Sequence, residues 1–338
     1  MRETLLYKKL NNKMVQCGIC NHRCVILPQK RGFCNVRENQ NGILYSLIYG
    51  KIIAENIDPI EKKPFYHFMP GTNSLSIATI GCNFRCLHCQ NWQISQAGKK
   101  NKEQTNILGE NLSPKEIVKH CLKNKCQSIS YTYTEPTIFL EYALDIMKLA
   151  KKHKIKNVWV SNGYMTKEAI ELIAPYLDAI NIDLKSFSEK FYNKYCGTKI
   201  KPVLENLKLL KQKNIWIEIT TLIIPTLNDN LKELKKIAEF IFQKLGSNVP
   251  WHISKFFPSY QLENIPSTLI EILIKAREIG LNAGLKYVYL GNVGNHAGSD
   301  TYCPECKTLI IERIGYQIKR FDRNNKCPKC EEKIDLIN

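Results

Sequence analysis

The sequence has no run of eighteen apolar residues, so no segment is long enough to cross a bilayer as a helix. Its first residues, MRETLLYKKLNNKM, lack the apolar stretch and small-residue cleavage site of a secretory signal. These two absences set the expectation of a soluble, cytoplasmic protein with no membrane partner. Arginine is scarce: most of the 49 basic residues are lysine, in a chain of formal net charge +18. Arginine makes the bidentate contacts to phosphate and guanine, so its scarcity argues against nucleic acid. Abundant Lys, Asn and Ile spread over solvated faces accounts for the charge more simply. No internal repeat, long low-complexity linker or cobalamin-binding motif is present.

Cysteine, by contrast, is plentiful and clustered. Fourteen occur in 338 residues. Cys17, Cys20, Cys24 and Cys34 form one group; Cys82, Cys86 and Cys89 a second; Cys303, Cys306, Cys327 and Cys330 a third. Cys121, Cys126 and Cys196 stand apart and read as buried small residues. Disulfide frameworks belong to short secreted chains, whereas C-x-x-C pairs in a long chain read as metal ligands in a reducing compartment.

Between the outer groups, strand-like and helix-like segments alternate. Runs rich in β-branched and aromatic residues cover 75–80, 128–133, 157–162, 179–184, 215–223, 250–257 and 286–291. Ser113-Pro114-Lys115-Glu116 is a capping box that opens a helix. Asn228 or Asp229 is expected to cap the helix that Gly246 ends, and Ser267 to open one that Gly280 ends. Alternation of this kind predicts an α/β fold with a parallel sheet, a partial barrel of six or seven strands. Its ligands are expected at the C-terminal strand ends. The expected organisation is a cysteine-rich region over 1–72 with a hairpin at 43–56, a core over 73–293, and a four-cysteine module over 294–338.

The central group stops at three thiolates, directly after the first predicted strand. Three cysteines leave one iron of a 4Fe–4S cube without a protein ligand, and an open position separates a catalytic metal site from a closed structural one. Gly81 permits close backbone approach there. The competing reading is zinc with His88 as a fourth ligand, but zinc usually takes two C-x-x-C pairs, which this loop lacks.

The spacing Cys82-x3-Cys86-x2-Cys89 resembles that of the radical S-adenosylmethionine (SAM) superfamily. The resemblance implies a cluster whose open iron binds SAM and reductive cleavage to a 5′-deoxyadenosyl radical. It also implies an oxidoreductase class, an electron donor such as flavodoxin or ferredoxin, and a protein or small molecule as substrate. YTYTEPT places Thr134 and Glu135 where the superfamily has a Gly/Glu-rich motif near the SAM amino group, although Tyr133 and Thr134 replace glycines. Ser161 and Asn162 in SNG, and Asp183 and Lys185 in DLK, end the next two strands and are further SAM candidates. DLK resembles a motif of pyruvate formate-lyase activating enzymes, which makes a glycyl-radical-enzyme activase the alternative. His252 is a candidate for adenine or substrate, or else a satisfied core histidine. The segments DPIEKKPFYHFMPG, SLSIATIGCNFRCLHCQNWQISQ, SYTYTEPTIF, TTLIIPTLND, PWHISKFFP and YVYLGNV look together like the radical SAM member of the AmmeMemoRadiSam system. His88 departs from the Phe or Tyr common before its third cysteine.

Cys303-x2-Cys306 and Cys327-x2-Cys330 have the spacing of a zinc ribbon or a rubredoxin-like iron site, zinc being the first choice. Cys17-x2-Cys20-x3-Cys24-x9-Cys34 is irregular. Four ligands close that site, for structural zinc with His22 as a spare donor or for an auxiliary iron–sulfur cluster; zinc is preferred. A non-enzymatic zinc-ribbon protein that binds nucleic acid through charge is the reading from another class.

Overall fold

The computed structural model describes residues 1–97 and 107–338. One eight-stranded sheet organises them. Its strands are β1 (Ala54–Pro59), β2 (Asn73–Ala78), β3 (Ser128–Tyr131), β4 (Lys156–Ser161), β5 (Ala179–Asp183), β6 (Trp216–Ile223), β7 (Trp251–Lys255) and β8 (Val288–Gly291). They hydrogen-bond in sequence order from β1 to β8. All neighbours from β2 onward are parallel; β1 alone pairs antiparallel, with Ile57 opposite Leu75. β1 lies within the segment 1–72 expected to stand outside the core.

Period-two alternation divides the strands between two faces. Leu75, Ile77, Ile129, Tyr131, Trp159, Ile180, Ile217, Trp251 and Leu290 belong to one continuous apolar core. Crossover helices α1 (Pro114–Lys123), α2 (Leu140–Lys152), α3 (Lys167–Ile173), α4 (Lys201–Gln212), α5 (Leu231–Phe240) and α6 (Ile270–Asn282) cover that face. The opposite face carries Ser74, Ser130, Asn181, Glu218, Thr220, His252 and Ser254, all buried. A parallel strand buried on both sides is usually apolar throughout; polar residues at every second position mark a face built around something other than packing.

Segment 60–69 fills the lower part of that face. Ile60, Phe65 and Phe68 pack on Val158 and Ala179 at the start of β4 and β5. The buried Glu218 carboxylate accepts the backbone N–H groups of Tyr66, His67 and Phe68 at 2.9–3.2 Å, and His252 Nε2 lies 2.7 Å away. This leaves the upper part of the face, at the C-terminal strand ends, open.

The capping box at Ser113 forms as expected, with Glu116 accepting from Ser113 N–H at 2.6 Å. Three local expectations do not hold. Asn230, not Asn228 or Asp229, caps α5; Asn228 instead bonds Lys185 O and Leu222 O. α6 starts after Leu269, because Thr268 bonds Ile223 O and Phe256 N–H, and it runs through Gly280 to Asn282. The hairpin at 43–56 is not formed: Ile43–Ser46 pairs with Arg37–Gln40 and Arg2–Glu3, and Lys51–Ile52 with Glu110–Asn111. The C-terminal residues form a separate small core of Cys303, Ile310, Ile311, Cys327, Ile334 and Leu336. No helix among the described residues is long and apolar enough to cross a membrane.

Candidate active site and metal centres

A cavity of about 440 Å³ opens at the C-terminal ends of the parallel strands. The loop after β2 brings Cys82, Cys86 and Cys89 into its wall. Gly81 makes that loop possible: its φ is +94°, and a Cβ there would stand 2.8 Å from Val36 Cγ1 and 3.2 Å from Cys34 O. Phe84 N–H points at Cys82 Sγ (3.3 Å), and Ser95 Oγ lies 3.1 Å from Cys89 Sγ. Among the described residues, these three thiols do not gather within the 4.8 Å span of a single-ion site. Polynuclear iron–sulfur ligands need such wider spacing, whereas four thiolates around one ion at about 2.3 Å sit roughly 3.7 Å apart.

His88 lines the cavity, buried, and no hydrogen-bond partner for its Nδ1 exists among the described residues. Burial and the neighbouring Lys185 ammonium push its pKa down to about 3, so its imidazole is neutral. One of its ring nitrogens lies within 4.8 Å of the Cys86 and Cys196 sulfurs, a group that does not include Cys82 or Cys89. Cys196 is fully buried as expected, but it also adjoins Cys86, a proximity its isolation in sequence conceals.

Glu135 organises the strand ends beside the thiols. Its Oε1 accepts from Thr137 N–H (3.0 Å), Thr137 Oγ1 (2.5 Å) and Ser161 Oγ (2.8 Å), and its Oε2 from Asn162 N–H (2.8 Å). Burial raises the carboxyl pKa against the pull of these donors. Asn162 Nδ2 then donates to Asn83 Oδ1 at 2.7 Å, tying this strand end to the cysteine loop. Thr134 Oγ1 donates to Thr79 O, and Asp183 holds Lys185 Nζ at 2.9 Å. Burial disfavours the Lys185 charge, but the Asp183 carboxylate beside it helps hold its pKa above the usual value.

The cavity therefore unites Cys82, Cys86, Cys89, Thr134, Glu135, Ser161, Asn162, Asp183 and Lys185. His252 is the exception. It is 2% exposed, bonded to Glu218 below the cavity, and does not line it, so of its two readings the geometry matches the satisfied core histidine and not the adenine or substrate contact. Sequence reasoning gave no role to Lys62, Lys63 or Tyr133, which also line the cavity. Asp58 holds both lysines, at 2.8 and 2.6 Å, and accepts from Tyr133 OH. Lys63 Nζ sits 4.2 Å over the Tyr133 ring, and Tyr133 has a left-handed φ of +61°. The lysines lie inside DPIEKKPF, where only their adjacency to Pro64 hints at a fixed position. Tyr316 of the C-terminal module also lines the cavity, and Arg313 anchors that module by donating to Tyr66 O at 2.9 Å.

Cys303, Cys306, Cys327 and Cys330 place their sulfurs within 4.8 Å of one another, with contacts of 3.6 Å (Cys303–Cys330) and 3.5 Å (Cys306–Cys327). That is the spacing of one tetrahedral ion. Hydrogen bonds, led by the Thr308 hydroxyl, draw the Cys306 pKa down to about 6, while Cys330, bonded to the other three cysteines, is held up at about 12.

Comparison with known proteins adds four findings. Residues 76–241 match the family model of the radical SAM superfamily. An uncharacterized protein of Methanocaldococcus jannaschii is 45% identical over 340 residues, spanning all of both chains. Pyruvate formate-lyase 1-activating enzyme of Escherichia coli K12 is 25% identical over 167 residues, 47% of this chain and 65% of that one. Among solved structures, a radical SAM methyltransferase from Sphaerobacter thermophilus superimposes with a TM-score of 0.51 at 11% identity. It covers 66% of this chain and 67% of that one, a likeness of fold alone.

Proposed function

Given that the chain belongs to the radical SAM superfamily and is related to pyruvate formate-lyase activating enzymes, we propose that it cleaves SAM reductively and uses the radical to modify a protein or small molecule. The observation that carries this reading is the meeting of three thiols and the Glu135-centred strand ends in one cavity. In this reading Cys82, Cys86 and Cys89 hold a 4Fe–4S cluster, whose chemistry is to deliver one electron that breaks the C5′–S bond of SAM. The chain's own residues bind and orient. Thr134, Ser161 and Asn162 offer polar groups to the methionyl and ribose moieties, and Glu135 acts chiefly by fixing Ser161 and Asn162. Lys185, paired with Asp183, supplies a cation beside Cys86. Buried His88 and Phe84 keep water from the thiols. The C-terminal four-cysteine site takes one zinc, or one iron.

A narrower reading, activation of a glycyl radical enzyme, is favoured by the activating-enzyme relative and by the Asp183–Lys185 pair at the end of β5. Membership of the AmmeMemoRadiSam set is the other narrower reading. The test of the main proposal is anaerobic reconstitution followed by reduction with SAM present. We expect 5′-deoxyadenosine from the wild type and none from the triple Cys82, Cys86, Cys89→Ala variant. Equal yield from that variant would sink the proposal.

A further inference from the structure

From the geometry of the N-terminal cysteines we infer that Cys17, Cys20, Cys24 and Cys34 hold a second iron–sulfur cluster, closed by four protein thiolates, rather than zinc. This does not depend on the chemistry proposed for the central cavity. The four residues, distant by up to seventeen positions, line one small apolar cavity together with Ile19, Ile26 and Arg37. None of them forms a disulfide. The C-terminal set of four closes to a single-ion span, whereas no three of these four thiols lie within 4.8 Å of one another. The small cavity of about 10 Å³ that they line lies among thiols that do not converge on one point. Thiolates on the corners of a four-iron cube are roughly 6 Å apart, against about 3.7 Å around one zinc.

A second observation is independent of the sulfurs. Arg37 is 1% exposed, and its Nη atoms are taken by Glu141 (2.6 and 3.0 Å), Thr4 (2.7 Å) and Ile138 O (3.0 Å). Its Nε, equally buried, has no hydrogen-bond partner among the described residues. A buried guanidinium donor left unpaired costs stability unless a partner arrives. A four-thiolate cluster supplies one: it carries net negative charge and its sulfurs accept N–H bonds. Phe33 N–H, 3.5 Å from Cys24 Sγ, is a second donor already aimed at the site.

The site abuts the three-cysteine loop. Gly81 packs on Cys34 O, His22 Nε2 lies 2.7 Å from Asn83 O, and the Arg85 guanidinium stacks 3.8 Å over Phe33. A rigid body there would brace the loop from beneath.

Metal and sulfide analysis of the full chain after anaerobic reconstitution decides the matter. We expect about eight irons and eight sulfides per chain, with one further metal at the C-terminal cysteines. The triple Cys82, Cys86, Cys89→Ala variant should keep about four irons, with an EPR signal that SAM does not alter. A Cys17→Ser, Cys34→Ser variant should lose four irons and keep the SAM-responsive signal. About four irons and two zincs in the wild type, or no iron in the triple variant, would overturn the inference. If the Cys17, Cys34 variant fails to fold, the wild-type count and the triple variant still decide it.

Discussion

Replacing Glu135 with glutamine should destabilise the protein by about 2–3 kcal/mol and disturb the cysteine loop from a distance. The carboxylate receives four donors on two oxygens and is 1% exposed. In its better orientation the amide keeps its carbonyl toward Thr137 and Ser161, and its NH₂ then meets Asn162 N–H donor to donor. Three charge-assisted bonds become neutral, about 1 kcal/mol each, and a buried N–H loses its acceptor at about 1–3 kcal/mol. Against a gross loss of about 4–6 kcal/mol stands roughly 2–3 kcal/mol recovered by no longer burying a charge, whose desolvation raises the Glu135 pKa. Urea unfolding followed by tryptophan fluorescence reads the difference as a midpoint shift at unchanged slope. Asn162 also holds Asn83 beside Cys82, so the yield of 5′-deoxyadenosine should fall with the midpoint. A shift under about 0.5 kcal/mol would refute the hydrogen-bond reasoning. A full shift with undiminished yield would confine Glu135 to a structural role.

Two further perturbations test the cavity wall and the helix layer. Burial would raise the Asp58 pKa, but hydrogen bonds from Lys62, Lys63 and Tyr133 outweigh it and hold the carboxyl well below the usual range. That stabilisation is complete above an unfolded value of about 3.9 and is lost as pH falls through the lower folded value. Asp58→Asn should abolish this acid slope. At neutral pH it should also lower stability by about 3 kcal/mol, because buried Lys63, whose pKa burial already pushes down to about 8, loses the carboxylate that keeps it charged. Parallel stability–pH profiles for variant and wild type, measured down to about pH 3, would contradict this. Gly280→Ala should lower the melting temperature despite a helix-propensity gain of about 1 kcal/mol. Its Cβ would stand 2.9 Å from Val288 Cγ2 and 3.0 Å from the Trp251 ring, and overpacking of that kind costs about 1–3 kcal/mol. A higher melting temperature would show that the layer yields.

How far the sequence could be read depended on whether a residue's partners are local. The Ser113 box is legible because both of its bonds lie within four residues. Asn228, Asp229 and Asn230 are equivalent as caps by composition, and the choice falls to Asn228's distant bonds to Lys185 and Leu222. Gly280 looks like a helix stop, yet it sits inside α6 because Trp251 leaves no room for a side chain. The three-cysteine loop and the strand-end residues were legible because spacing and chain order place them. For His252 two readings stayed open, since its partner Glu218 lies one strand away and 34 positions earlier. Lys62 and Lys63 reach the cavity through Asp58 on an antiparallel edge strand, a topology that a purely parallel expectation omits.

The anchoring of the C-terminal module to the floor of the cavity has a consequence for how the protein is made. Arg313 holds Tyr66, Asp335 O meets His67, and Ile337 pairs with Met69. Domains emerge from the ribosome N-terminus first, so the cysteine loop is synthesised long before the residues that pin segment 66–69 and contribute Tyr316. Until those last residues appear, segment 66–69 lacks the partners that pin it and the cavity lacks its Tyr316 wall.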